Sequence, residues 1–305
     1  MRNSAPMEVP GILRSHAVAV GADRWLDELP ALVSHLERRW GITVGESLQG
    51  ATEAYVAAAT TTDGQPVVLK LLLPSTVDGA GHEINALRLA DGDGCVALLR
   101  DDPGLGALLL ERLGPTLHEV GLPISHRLQI LCDTVSRVWR AASGCGFPTG
   151  AERARRRATF IAETWEKVDR PCSERAIDHA LECAGRREAA HDDERAVLVH
   201  GDGHALNALQ AGAEFKLVDP DGVLAEAECD LGVLMRGDPV ELLEAEPRGR
   251  ASWLAARTGL DPTAIWEWGI VERVASGLHC EEIDFQPLGR QMLAAVEAVA
   301  GVEMS

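Results

Sequence analysis

The stretch Val197-Leu198-Val199-His200-Gly201-Asp202-Gly203-His204-Ala205-Leu206-Asn207, followed by Phe215-Lys216-Leu217-Val218-Asp219-Pro220-Asp221, decides how this 305-residue chain is read. A short apolar run delivers His200 and Asp202 into a turn. Asn207 follows, and a second apolar run ends at Asp219. A carboxylate beside the nucleophile, then an Asn and an Asp as hard-oxygen ligands, occur in this order where a phosphoryl group passes to a hydroxyl. Asp202 is therefore the candidate catalytic base, and Asn207 and Asp219 are the candidate Mg²⁺ ligands. Residues 207–210 and 214–218 can pair as a hairpin around Ala211-Gly212-Ala213, which would hold Asn207 and Asp219 close together. His200 is expected to brace the loop by a hydrogen bond rather than move protons. Its spacing from His204 falls in a loop, so a zinc pair is not expected.

Upstream, the pattern changes to strands. Residues 43–48, 55–60 and 66–72 read as strands, with Asp63-Gly64 as a tight hairpin turn. Residues 95–99 and 107–110 add two more around the turn Asp101-Asp102-Pro103-Gly104. The chain has only three Lys, and Lys70 stands alone in the apolar run Val67-Val68-Leu69-Lys70-Leu71-Leu72. A lysine there is either a solvent-facing gatekeeper or a cation for bound phosphates. An acidic linker after Pro74 leads to a short helix over 79–89, with Ile84, Leu87 and Arg88 expected to face inward. Glu83 on that helix can hold the Lys70 amine in a charge-assisted pair. Residues 1–20, with Pro6, Pro10 and Gly11, look like a loosely attached arm. Residues 25–40 carry apolar side chains at helical spacing, and Pro30 suggests that the regular helix begins there.

Beyond 115 the chain reads as mostly helical. Helices are expected over 125–142, ended by Ser143-Gly144 and Gly146, over 152–168, and from a Ser173 cap to about 190. Others follow near 253–258, from Asp261-Pro262 through 265–278, and over 288–299. The Arg153–Arg157 cluster reads as a solvated face. Trp266 and Trp268 can stack on a sugar, although core packing suits them better. Asp221 is a second metal ligand or a turn residue.

Composition narrows the function classes. The formal net charge of −18 argues against nucleic acid and is compatible with a cationic small-molecule substrate. Residues 200–290 carry 17 acidic against 7 basic side chains, and Glu272, Glu281, Glu282 and Asp284 can bind guanidinium or ammonium groups. Seven scattered cysteines without a CxxC pair fit reduced thiols in a cytoplasmic protein. The first ten residues do not form a signal peptide, and no apolar run is long enough to span a membrane. Neither GxGxxG nor a Walker A loop is present. The fold class is α+β and two-lobed. Residues 1–110 form an antiparallel five-stranded N-lobe, 111–115 a hinge, and 116–305 a mainly helical C-lobe.

From about Trp25 to Ala300 the sequence resembles the aminoglycoside phosphotransferases, relatives of the protein kinases. Gly50-Ala51-Thr52-Glu53-Ala54-Tyr55, residues 199–207 with Leu209, Val218-Asp219-Pro220-Asp221-Gly222 and Asp230-Leu231-Gly232 are similar to the streptomycin 6-phosphotransferase and hydroxyurea-resistance kinase subgroup. Pro220 stands where many members of the wider family carry an aromatic residue, and Thr52 replaces the usual Ser-Gly of the phosphate loop. The resemblance implies a protein-kinase-like fold with ATP and Mg²⁺ as cofactors. Lys70 and Glu83 would orient the nucleotide, Thr52 would lie at its phosphates, and Glu111 and Leu113 would grip adenine within a hinge at 108–113. Asp230 would be a buried support of the catalytic loop. The implied activity is phosphorylation of a cationic aminoglycoside, streptomycin at position 6, by a cytoplasmic monomer. Other acceptors of the same fold (hydroxyurea, choline, homoserine or a sugar) and an inactive nucleotide-binding protein are the alternatives.

Overall fold

The computed structural model describes residues 8–74, 79–142 and 146–304. The chain divides into two compact units, 1–114 and 115–305.

The first unit contains α1 (Gly11–Ala19), α2 (Asp23–Trp40), β1 (Ile42–Ser47), β2 (Ala54–Thr61), β3 (Pro66–Leu72), α3 (Gly79–Ala90), β4 (Leu98–Asp102) and β5 (Ala107–Glu111). The strands form one antiparallel sheet in the order β1-β2-β3-β5-β4. Alternation along β3 sorts its side chains. Val67, Leu69 and Leu71 join the core built with Trp25, Leu29, Val33, Leu36 and Trp40 of α2. Lys70 therefore lies on the other face of the strand, opposite Val56 of β2 and Leu108 of β5 in register.

Four local expectations are corrected here. Residues 8–20 are not a loose arm: α1 buries Leu13 and Ala17 completely, while residues 1–7 lie outside the described residues. Helix α2 begins at Asp23 and carries Pro30 inside it. The proline forfeits one backbone hydrogen bond, but an apolar face running from Trp25 to Trp40 packs the helix down on both sides of it. Strand β4 starts at Leu98 rather than 95 and continues to Asp102, whose side chain accepts from the Leu105 amide and tightens the turn. Arg88 does not face inward; it is exposed and paired with Asp101. The linker after Pro74 falls on 75–78, outside the described residues.

The second unit contains α4 (Leu117–Val120), α5 (Ile124–Ser136), α6 (Gly150–Lys167), α7 (Glu174–Ala189), β6 (Val197–Val199), β7 (Ala208–Ala211), β8 (Glu214–Leu217), β9 (Val223–Ala225), α8 (Glu228–Leu234), α9 (Pro239–Glu244), α10 (Gly249–Thr258), α11 (Pro262–Glu282) and α12 (Leu288–Ala298). Strand β6 pairs with β9, and β7 with β8, both antiparallel. Helix α11 starts at the Asp261 cap with Pro262 in its first turn and is buried on nearly every side, as a central helix must be. Helices α6, α7, α8 and α12 pack on it. Trp266 and Trp268 are core residues, with their indole N–H groups donated to Val302 O and Glu226.

Helix α5 ends at Ser136, six residues short of the expected 142. Arg140 instead bridges to Leu198, whose amide donates to the Arg140 carbonyl, and this draws the chain out of the helix beside β6. The expected stop at Ser143-Gly144 and the thiol of Cys145 lie outside the described residues. Helix α10 begins at Gly249, before Trp253.

Candidate active site

In the first unit Lys70 and Glu83 meet. The Lys70 Nζ–Glu83 Oε1 distance is 2.6 Å, and both side chains are buried. Glu83 reaches the amine because α3 packs its Ile84 and Leu87 side inward. Thr52 is exposed in the bend between β1 and β2, next to Gly50, which has φ +102°. Glu111 ends β5. Its amide donates to Ala97 O and its carboxylate accepts from the Ala97 amide, so that N–H is already committed within the sheet edge. Leu113 lies in the extended segment after β5.

In the second unit Asp202, Asn207 and Asp219 come together on one loop system. Strand β6 ends at Val199, and the turn after it needs Gly201 at φ +85°. A Cβ there would stand 2.9 Å from Asp221 Cβ and 3.1 Å from Arg153 Nη1. Asp230, fully buried on α8, accepts from the amides of His200 at 2.9 Å and Gly201 at 2.7 Å and from the Trp139 indole at 2.9 Å. Burial pushes the Asp230 carboxyl above its ordinary value, and the donors of the loop oppose that push. His200 is also fully buried. The Asp202 amide donates to its Nδ1 at 3.2 Å, so Nε2 carries the proton and donates to Val218 O at 3.0 Å. Burial lowers the His200 pKa, which keeps this neutral, bracing form.

The amide nitrogen of Asn207 donates to both the carbonyl and Oδ2 of Asp202, each at 3.0 Å. That commits the nitrogen and assigns Oδ1 the role of acceptor. The Val218 amide donates to Asn207 O at 2.9 Å, and the β7–β8 hairpin turns at Gly212, so Asp219 follows directly beside Asn207. Asp219 itself has φ +60° although it precedes a proline. A non-glycine residue in the left-handed region costs about 1–3 kcal/mol and gathers at functional sites. Among the described residues no three His, Cys, Asp or Glu side chains form a metal cage. One amide oxygen and one carboxylate nevertheless suit Mg²⁺, which keeps waters and takes its remaining oxygens from phosphates.

The electrostatics of Asp202 come from a residue that the sequence did not single out. Arg236, just beyond α8, pairs its Nη2 with Asp202 Oδ1, and His204 Nε2 lies 3.3 Å from Oδ2. Burial works against ionisation of Asp202, but the Arg236 guanidinium, with His204 adding to it, holds the carboxyl well below the usual carboxylate range.

Three further expectations change in this unit. The Arg153–Arg157 cluster is not a solvated face. Arg153 is buried and donates to Gly201 O at 2.6 Å, Asp221 at 2.8 Å and Glu272 at 2.9 Å, while Arg157 reaches Glu272 at 3.1 Å. Asp221 is the partner of Arg153 in this loop. Glu272 does bind guanidinium, but that of the protein's own Arg153, Arg157 and Arg236. Glu282 pairs with Lys167 and His279. The missed residues left partial signals: Arg153 and Arg157 share one helix face, and Glu272 interrupts the apolar run of α11.

Solved structures share this fold. A thermostable mutant of aminoglycoside phosphotransferase APH(4)-Ia, in ternary complex with ADP and hygromycin B, superposes with a TM-score of 0.59 at 14% identity over 89% of this chain and 99% of that one. Choline kinase from Cryptosporidium parvum Iowa II gives 0.58 at 11% identity over 88% and 94%. These likenesses establish a two-lobed kinase-like fold. In sequence, the hydroxyurea phosphotransferase of Kitasatospora aureofaciens is 39% identical over 118 residues, 38% of this chain and 34% of that protein. A streptomycin 6-kinase of Streptomyces glaucescens is 39% identical over 116 residues, 37% of each. The aligned part thus spans little more than a third of either relative. The family match is longer, from residue 39 to residue 283, and by it the chain belongs to the aminoglycoside/hydroxyurea antibiotic resistance kinases.

Proposed function

We propose that this protein is an ATP-dependent phosphotransferase that phosphorylates a hydroxyl of a small molecule, with streptomycin at position 6 as the first acceptor. The observation that carries the reading is a half-buried Asp202, held ionised by Arg236, sharing one hydrogen-bonded loop with Asn207 and Asp219. Asp202 accepts a hydrogen bond from the acceptor hydroxyl and orients it. The hydroxyl oxygen forms the new bond to the γ-phosphorus, the bond from that phosphorus to ADP breaks, and the hydroxyl proton passes to Asp202 and on to water. A carboxylate held this acidic is a weak base, so it takes the proton late, once transfer has made the hydroxyl strongly acidic. Lys70, fixed by Glu83, takes the nucleotide phosphates. Asn207 Oδ1 and Asp219 would hold Mg²⁺, which neutralises phosphate charge when bound. Thr52, Glu111 and Leu113 are assigned to the nucleotide, through the Thr52 hydroxyl and, at 111–113, through backbone groups other than the Glu111 amide.

Streptomycin is preferred because of the Streptomyces relative and the acidic carboxy-terminal region. With Glu272 and Glu282 paired within the protein and Glu281 accepting from Gln286 at 2.9 Å, the exposed Asp284 is left for a cationic acceptor. Hydroxyurea is the second acceptor to test, since its phosphotransferase matches the chain equally well. We place the protein in the cytoplasm, where thiols stay reduced, since the six described cysteines are free and buried, and we propose a monomer.

Incubation with ATP and Mg²⁺ should add one phosphate to streptomycin, measured by mass and mapped by NMR, across a panel that includes hydroxyurea, choline and a neutral sugar. Asp202→Asn should abolish turnover. An unchanged rate in that variant defeats the mechanism, and preference for a neutral acceptor defeats the cationic-substrate assignment.

A further inference from the structure

Asp202 is clamped twice. Its carboxylate is held by Arg236, and the carbonyl immediately before it, Gly201 O, is held by Arg153 at 2.6 Å. Arg236 comes from the segment after α8 and Arg153 from α6, so neither fixes the other through the backbone. Both converge on Glu272 of α11. Oε2 lies 3.4 Å from Arg236 Nη1, and Oε1 lies 2.9 Å from Arg153 Nη2 and 3.1 Å from Arg157 Nε. The Glu272 side chain is 0% exposed. Arg236 also donates to Ser276 Oγ at 3.3 Å, and Arg153 to Asp221 at 2.8 Å. Three guanidiniums (Arg153, Arg157, Arg236) thus face three carboxylates (Glu272, Asp202, Asp221), and the set is balanced in formal charge. The fit around Gly201 leaves no space for a side chain, so the Arg153 clamp bears directly on the turn.

We infer that Glu272, which acts through Arg236 and Arg153, is a positioning residue of the catalytic loop beside Asp230: by joining Arg236 to Arg153 it sets the carboxylate of Asp202 relative to its own backbone. This rests on the phosphotransfer reading for its kinetic consequence, but the positioning can also be read without turnover.

The test compares wild type with Glu272→Gln, Glu272→Asp and the double variant Glu272→Gln/Arg157→Gln. The double variant restores charge balance while leaving Arg236 and Arg153 unjoined. With ATP and streptomycin, or hydroxyurea if that is the acceptor used, kcat should fall about tenfold to a hundredfold in Glu272→Gln, as displacements near 1 Å do. KM for ATP should stay within about twofold, because Lys70 and Glu83 lie on the other unit. The double variant should recover thermal stability but not kcat. Glu272→Asp, which keeps the charge but draws it back by one methylene, should lose an intermediate amount. Amide hydrogen exchange should accelerate at residues 200–203 in the double variant more than elsewhere in the second unit. Recovery of kcat along with stability in the double variant would show that Glu272 serves charge balance alone and would overturn the inference. So would unchanged protection at 200–203, which decides the matter even if Glu272→Gln fails to fold. Loss of all turnover from wild type, with the exchange result as expected, would instead count against the phosphotransfer reading and leave the positioning role standing.

Discussion

Gly232 lies inside α8, two residues after Asp230, where α8 crosses α11. Replacing it with alanine sets two effects against each other. Alanine in a helix interior is favoured over glycine by about 1 kcal/mol. The added Cβ, however, would stand 2.3 Å from Trp268 Cβ, 2.9 Å from the Trp268 carbonyl carbon and 3.1 Å from Gly269 N. Carbon atoms prefer about 3.5–4.0 Å, so the two helices must part by about 1 Å. The obstacle is backbone and a Cβ, which cannot rotate away. Overpacking of this kind costs about 1–3 kcal/mol. Moving α8 also loosens the three donors on Asp230, each worth about 1.5–3 kcal/mol to a charged acceptor. With only part of that loss counted, Gly232→Ala should destabilise the second unit by about 2–4 kcal/mol net. For a unit of this size that is a fall in Tm of about 4–16 °C. Because Asp230 holds the amides of His200 and Gly201, the phosphotransfer rate should fall about a hundredfold. Thermal unfolding and initial-rate kinetics on the same preparation check both. A Tm at or above that of wild type, as helix propensity alone predicts, together with a normal rate would refute the account of this crossing.

Gly269→Ala should cost less, because its Cβ meets Met235 Cβ at 2.7 Å and Cγ at 2.8 Å and part of that side chain can move; a Tm loss as large as that of Gly232→Ala would count against this difference. Glu83→Gln should destabilise by about 3–5 kcal/mol by leaving Lys70 buried opposite a neutral group, whereas Lys70→Met/Glu83→Leu should be closer to neutral in stability yet raise the ATP requirement sharply. Denaturant titration and ATP-dependent kinetics separate the two outcomes. Burial would raise the Glu272 pKa, but Arg157, Arg153 and Arg236 pull it down to about 2 from an ordinary 4.5. A depressed folded pKa gives stability that is complete above the ordinary value and is lost as pH falls through the folded one. The gap in unfolding free energy between wild type and Glu272→Gln should therefore hold about 3 kcal/mol from this shift near neutrality and narrow between pH 4.5 and 2. A gap that widened on acidification would show that the sign is wrong.

Local pattern carried much of the architecture. The run Val67 to Leu72 is a strand because a short, nearly continuous apolar run needs burial, and Lys70 stood out within it as the one charge. Asp261-Pro262 announced α11, and Ser173 announced α7, since each supplies an oxygen to orphaned amides of a first turn. Short elements such as α4, α9 and β9 were not legible: three to six residues span too little of either period to show one. Pro30 misled because its local cost is outweighed by the packing of α2 on the sheet. Helix α5 was drawn too long because its stop is a bridge to Leu198, far along the chain.

The sequence by itself determined the chemical types available for the proposed reaction: an aspartate in a turn, an asparagine and a second aspartate at fixed spacing, and a lysine alone in an apolar strand with a glutamate on the following helix. These are encoded locally, since order and spacing along a short loop constrain which groups can share a site. Only the tertiary structure decided the state of those groups. How far the Asp202 carboxyl is held below its ordinary range depends on Arg236, and Arg236 in turn is held by Glu272. Arg153 and Arg157 look like a surface cluster until α6 is laid against α11 and their guanidiniums find that buried carboxylate. Charge burial is a property of packed neighbours more than a hundred residues apart, and no periodicity within one helix can report it.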